Sequence, residues 1–156
     1  MKFEYWFTPL AVIFLILVWL FLVPLGALSS SPSANKNDYK VIRVIDGDTV
    51  EIEVPSMPHG IPPRLSVRLK DVDTPEGEGR ARCEQERVLA AQAKRYVEHS
   101  LMVARTLKIT FDGWDKYGGR VLGYILLDGE SLSQRLITVG LGVYYDGKGP
   151  KKNWCE

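Results

Sequence analysis

The chain is poor in the side chains that build soft metal centres and disulfide frameworks, with two cysteines and two histidines in 156 residues. Two cysteines cannot staple a disulfide-rich mini-scaffold; they form one bridge or stay reduced. A zinc site would need Cys83, Cys155, His59 and His99 together, and their spacings match no zinc pattern. An excess of one charge is lacking too: 20 basic against 19 acidic residues leave a net +1. Bulk charge therefore gives no support to a polybasic, nucleic-acid-coating protein. A nucleic-acid substrate has to be argued from particular residues.

At 156 residues there is room for one domain with a real core and not for two ordinary ones. A hydrophobic share of 46% with 25% charged residues excludes a chain disordered throughout. Trp6–Leu28 carries no charged residue and shows no polar face. About 20 apolar residues suffice to span a bilayer. Two readings stay open for residues 1–28: an uncleaved signal-anchor, or a cleaved signal with small residues near Ala27–Ser29. Both imply export, as a membrane-anchored protein or, after cleavage, as a periplasmic or secreted one. Residues 29–38 are Ser/Pro/Asn-rich and read as a flexible linker, so the folded domain spans 39–156.

Within the domain, Lys40–Ile45 is a β-branched run that Asp46-Gly47-Asp48 turns. Val50, Ile52 and Val54 alternate with Glu51 and Glu53 as a second strand, and Leu65, Val67 and Leu69 make a third. Between them Pro55–Pro63 is too proline-rich for a central strand. Glu84–Leu101 has helical spacing, with Leu89, Ala93, Tyr96 and Val97 on one face. Leu107–Phe111 alternates as a fourth strand, Asp112–Gly119 is turn-like, and Arg120–Leu127 is a fifth strand. Ser131 and Gln134 fit a capping box before a short helix that Gly140 ends, and Val143–Tyr145 is a last extended piece. Helices do not alternate with every strand, which argues against a doubly wound parallel sheet. The pattern predicts an α+β domain: an OB-fold, a five-stranded Greek-key barrel with two or three helices, preceded by an N-terminal hydrophobic helix.

Asp46, Asp48, Asp73 and Glu76 fall in turns at strand ends. Hard cations such as Ca²⁺ take oxygen ligands of this kind, although a lone Asp-Gly turn is more often only a turn. An EF-hand is excluded, since Glu51 and Met57 stand where that loop needs Gly and Glu. Arg68 and Arg120 near these carboxylates suit a phosphodiester, which a guanidinium matches in shape and charge.

Val44-Ile45-Asp46-Gly47-Asp48-Thr49-Val50, Arg68-Leu69 with Val72-Asp73-Thr74-Pro75-Glu76, and Asp115-Lys116-Tyr117-Gly118-Gly119-Arg120 together resemble the staphylococcal nuclease family over roughly Tyr39–Tyr145. The resemblance implies a five-stranded OB barrel and a Ca²⁺-dependent endonuclease that cleaves DNA and RNA and leaves 3′-phosphate ends. It implies Asp48, Asp73 and the Thr74 carbonyl as Ca²⁺ ligands, with Asp46 in an outer shell. Glu76 would orient or deprotonate the attacking water, and Arg68 and Arg120 would bind the phosphate. Lys116, Tyr117 and either Tyr144 or Tyr145 would contact substrate. Three features depart from the family's best-known member: Gly118-Gly119 where that member has one glycine, Lys70-Asp71 where it has leucines, and a tail that lacks its long C-terminal helix.

In an oxidising compartment Cys83 and Cys155 are candidates for a bridge that would pin the tail beside the site, free thiols being the alternative. Lys94-Arg95 and Lys151-Lys152 read as solvated faces more than as dedicated DNA contacts, the latter pair being within reach of substrate. Two function classes remain: the nuclease, monomeric and acting on single-stranded or locally opened DNA and RNA, and an inactive OB module that only binds nucleic acid or protein. Arg68, Glu76, Asp48, Asp73 and Arg120 are all present, which favours the enzyme.

Overall fold

Five β-strands, a two-residue sixth and two helices follow from the hydrophobic patterning in a computed structural model that describes residues 39–54, 63–116 and 118–156. The apolar segment Trp6–Leu28, the linker 29–38, His59 and Tyr117 lie outside the described residues. Among the described residues no helix is long and apolar enough to cross a membrane.

The strands are β1 (Lys40–Asp46), β2 (Thr49–Glu53), β3 (Arg64–Leu69), β4 (Leu107–Trp114), β5 (Arg120–Leu127) and β6 (Glu130–Ser131); the helices are α1 (Glu84–Val103) and α2 (Leu132–Thr138). The sheet runs β1-β2-β3-β5-β4, with β6 on β5. All pairs are antiparallel except β3 with β5, which is parallel. That parallel pair needs a long crossover, and α1 lies within it. This is the OB-like α+β architecture that the alternating strands predict. At the two ends of the ladder, the Tyr39 and Phe111 rings meet edge-on, 5.3 Å between centroids.

Alternation decides what is buried. Val50 and Ile52 of β2, Leu65, Val67 and Leu69 of β3, and Val121, Ile125 and Leu127 of β5 face the core. Each such aliphatic contributes roughly 1.5–3 kcal/mol on burial. Ala90, Ala93, Val97 and Ser100 give α1 a narrow, small-residue stripe against them. Cys83 is the N-cap of α1, its sulfur accepting from the Glu86 N–H. Ser131 caps α2 by accepting from the Gln134 N–H at 3.4 Å. Leu132 and Leu136 then close the core.

Two expected boundaries shift. The segment after Phe111 is not a turn throughout: β4 continues to Trp114 because the ladder skips one residue between Phe111 and Gly113. This bulge breaks the period-two pattern without ending the pairing. In the expected extended piece Val143–Tyr145, Val143 alone pairs, exchanging backbone hydrogen bonds of 2.9 Å with Asp73 in both directions.

Candidate active site

Register brings the site together. Thr49 of β2 lies opposite Arg68 of β3, which places the Asp48 turn beside the arginine. The parallel pairing sets Ser66 opposite Arg120 and Arg68 opposite Leu122, so the two arginines stand two residues apart in register on the same face of neighbouring strands. The Val143 bridge holds Asp73 from the other side. Gly47 permits the tight approach of the Asp46–Asp48 turn: a Cβ there would lie 2.8 Å from both the Ala93 Cβ and the Thr74 Oγ1. Only a residue without a side chain lets this turn sit against α1 and Thr74.

Asp48, Asp73 and Thr74 are buried. Thr74 donates to Asp48 Oδ2 from its backbone N–H (3.1 Å) and its hydroxyl (2.9 Å). The Arg68 guanidinium pairs with Asp48 Oδ1 through Nη1 and lies 3.4 Å from Asp73 Oδ1 through Nη2. Burial works against the Arg68 charge, with Asp46, Asp73 and Glu76 working for it and Arg120 against it, and the balance lies below the ordinary arginine value. Arginine still stays charged. Asp46 Oδ1 accepts from the Asp48 N–H at 3.2 Å and its other oxygen takes Arg80 at 3.0 Å. Arg80 Nε also lies 3.1 Å from Glu76 Oε2. Arg120 is held by Asp115, at 3.1 Å through Nε and 2.6 Å through Nη2.

These groups surround a cavity of about 480 Å³, lined by Asp46, Asp48, Arg68, Glu76, Lys116, Arg120 and Tyr145. Tyr145 therefore lies on the cavity wall, whereas Tyr144 is not among its lining residues and is 69% exposed. Asp73 and Thr74 lie behind the wall, reaching it through Arg68 and Asp48.

Sequence reasoning missed four contributors. Lys151, expected on a solvated face, instead puts its ammonium 2.8 Å from both Asp73 Oδ1 and Glu76 Oε1. The reason is the tail's anchorage: Cys155 is disulfide-bonded to Cys83 and Trp154 is buried. Arg80 bridges Asp46 and Glu76. Trp114, half-exposed, stands on the cavity wall. Glu86 is buried at the third position of α1, where one oxygen accepts from the Glu76 N–H (3.4 Å) and the other from the Arg82 N–H (2.7 Å). Burial opposes its ionisation, but those two N–H groups and the Arg82 guanidinium outweigh it and hold the Glu86 carboxyl below its ordinary range. No capping-box signal could have found Glu86, because its N-cap is a cysteine and its oxygens accept from Glu76 and Arg82 instead of the N-cap N–H.

The donor chemistry is all oxygen, as a hard cation requires. The Lys151 ammonium also marks a point that a cation can share between Asp73 and Glu76. Among the described residues, however, no three His, Cys, Asp or Glu side chains are grouped as a ready cage. Arg68, Arg80 and Lys151 draw the carboxylates onto themselves.

The fold defines an OB-like α+β domain, with carboxylates and arginines gathered on one cavity. The profile of the staphylococcal nuclease homologue family matches residues 66–154, and the chain belongs to that family. Arg68, Asp73, Glu76, Arg120 and Lys151 lie inside the matched span; Asp46 and Asp48 precede it.

Proposed function

We propose that the protein is a Ca²⁺-dependent endonuclease that hydrolyses phosphodiester bonds of DNA and RNA and leaves 3′-phosphate ends. The observation that carries this reading is the meeting of Arg68, Arg120, Glu76 and Asp48 on one open cavity, with Asp73 directly behind. Asp48, Asp73 and the Thr74 carbonyl are the groups to hold the ion, with Asp46 outside them. Bound there, Ca²⁺ would offset charge on the phosphate.

The residues divide the remaining work. Arg68 and Arg120 present N–H forks on adjacent strands, suited to two phosphate oxygens whose charge grows during attack. Asp115 holds Arg120 from one edge and leaves further N–H groups for substrate. Glu76 is partly exposed at the cavity and takes a proton from water or holds the water in line. Its backbone is fixed by Glu86. Tyr145 and Lys116 on the wall contact the nucleotide, and Tyr117 is assigned the same role on its motif.

A second reading, an inactive module that only binds nucleic acid or protein, draws support from the basic partners already on each carboxylate. One assay separates the two. Full-length protein in mild detergent is given single-stranded DNA or RNA with Ca²⁺ or with chelator, beside Glu76→Gln and Arg68→Ala. The nuclease reading expects chelator-sensitive cleavage that falls about 10²–10³-fold in either variant. Binding without cleavage supports the module.

Export is proposed on the same footing. The uncharged run Trp6–Leu28 and the Cys83–Cys155 disulfide support an oxidising, extracytoplasmic setting. The anchored form expects the intact chain in the membrane fraction; soluble protein with a new N-terminus near Ser30 would establish cleavage instead.

A further inference from the structure

The tail after Tyr145 carries Lys151 into the carboxylate cluster, and this contact has no part in the roles given above. Lys151 Nζ lies 2.8 Å from Asp73 Oδ1 and 2.8 Å from Glu76 Oε1. Asp73 is almost wholly buried, while the Lys151 side chain keeps 43% of its exposure. Burial acts against the ammonium charge, but the two carboxylates more than restore it and raise its pKa above the ordinary lysine value.

The position of this lysine is built by the fold. Cys155 is bonded to Cys83, 72 residues away in sequence, with 5.9 Å between their Cα atoms. Cys83 is the N-cap of α1 and follows Glu76 by seven residues. Trp154 is buried next to the bridge. Arg82 Nη2 donates to the Lys152 carbonyl at 3.1 Å, and Gln85 Nε2 to the Glu156 carbonyl at 3.3 Å. The tail is thus tied to the segment that carries Glu76, and Lys151 has a short distance to search.

We propose that Lys151 is an active-site residue that competes with the divalent cation for Asp73 while also occupying Glu76, and that the Cys83–Cys155 disulfide holds it in competition. This inference rests on the metal-dependent reading of the site. An ammonium and a divalent ion both need the Asp73 carboxylate oxygen that Lys151 now holds. They cannot share one point. The competition is reciprocal: the ion enters as Lys151 swings out along its exposed stem, and the released ammonium stays within reach of a phosphate in the cavity. Tethering is what makes a single charge an effective rival, because it gives the lysine a high local concentration. Lys151 therefore weakens metal binding in the free enzyme and gives part of that cost back when an anionic substrate receives its ammonium.

The test is direct calorimetric titration of the full-length protein in mild detergent with Ca²⁺, without substrate. Lys151→Met and Lys151→Ala are expected to bind Ca²⁺ about tenfold more tightly than the wild type. Lys151→Arg, which keeps the charge, is expected to bind no more tightly than the wild type. Cys83→Ser/Cys155→Ser, checked for folding by circular dichroism, is expected to move toward Lys151→Met. Unchanged or weaker Ca²⁺ binding in both Lys151→Met and Lys151→Ala overturns the inference. If that happens while wild-type cleavage remains chelator-sensitive, the nuclease reading stands and this inference alone falls. Cleavage that ignores chelator, or no cleavage, fails the reading itself, and Ca²⁺ isotherms that show no binding in any variant overturn this inference.

Discussion

Among single residues, Glu86 is the one whose role is least visible from its type and most dependent on its surroundings. A glutamate in the first turn of a helix is normally a solvated partner of the helix dipole. Here it is buried and satisfies the N–H groups of Glu76 and Arg82, so it fixes the backbone of the loop that presents the Glu76 carboxylate. Its pKa is held down, against burial, by those N–H groups and Arg82. The folded chain thus binds the Glu86 proton more weakly than the unfolded chain does. The resulting stability is fully present above the unfolded value of about 4.3 and is lost as pH falls below it. Glu86→Gln is expected to lower stability at pH 7 by about 1–3 kcal/mol, the cost of disturbing hydrogen bonds to a charged group. It should also flatten the loss of stability between neutral pH and pH 3. Urea midpoints at both pH values check this; an equal acid loss in wild type and variant would show that Glu86 does not carry it.

The elements were legible where one periodicity ran uninterrupted. Leu65, Val67 and Leu69 alternate cleanly, and β3 is found where alternation puts it. The stripe that buries Ala93 and Val97 was enough to place α1. The end of β4 was not legible, because the bulge after Phe111 throws Gly113 and Trp114 out of phase. The turn carboxylates and Arg68 could be assigned on three motifs that resemble the staphylococcal nuclease family, since an Asp-Gly turn or a strand arginine alone is more often only a turn or a solvated charge. Lys151 could not: it stands 75 residues from Glu76 in sequence, and only the tail's docking brings it near. Gly47 belongs to this scale, since it sets how closely the β1–β2 turn approaches α1. Gly47→Ala would drive a Cβ to within 2.8 Å of Ala93 and Thr74. Overpacking of this kind costs about 1–3 kcal/mol. The expected result is a lower melting temperature together with weakened Ca²⁺ binding, because the turn carries Asp46 and Asp48. Calorimetry and a Ca²⁺ titration check both; a variant as stable as the wild type would show that the turn moves away freely.

For the whole molecule, near-neutral charge and a single disulfide act on the same place. The +1 total has a local counterpart, since seven basic and six acidic side chains line the cavity. Capture of a polyanion there depends on the local arrangement of these charges more than on the net charge. That arrangement relies on the tail, and the tail relies on Cys83–Cys155. The bridge joins residues 72 apart and so removes much freedom from the unfolded chain. The chain-entropy relation for a loop of that length gives about 4 kcal/mol. For a domain of this size such a loss lowers the melting temperature by roughly 10–20 °C. Scanning calorimetry of the oxidised and reduced full-length protein is the check. Reduction should also free the tail that holds Trp154 in the core and Lys151 among the carboxylates, so Trp154 should become more exposed, with red-shifted emission relative to a Trp154→Phe control. If reduction shifts the midpoint by less than about 2 °C, the tail is held by Trp154 and its hydrogen bonds to Arg82 and Gln85 without help from the bridge. In that case the disulfide would be a consequence of the docked tail, and its reduction would leave the charge pattern of the cavity as it is.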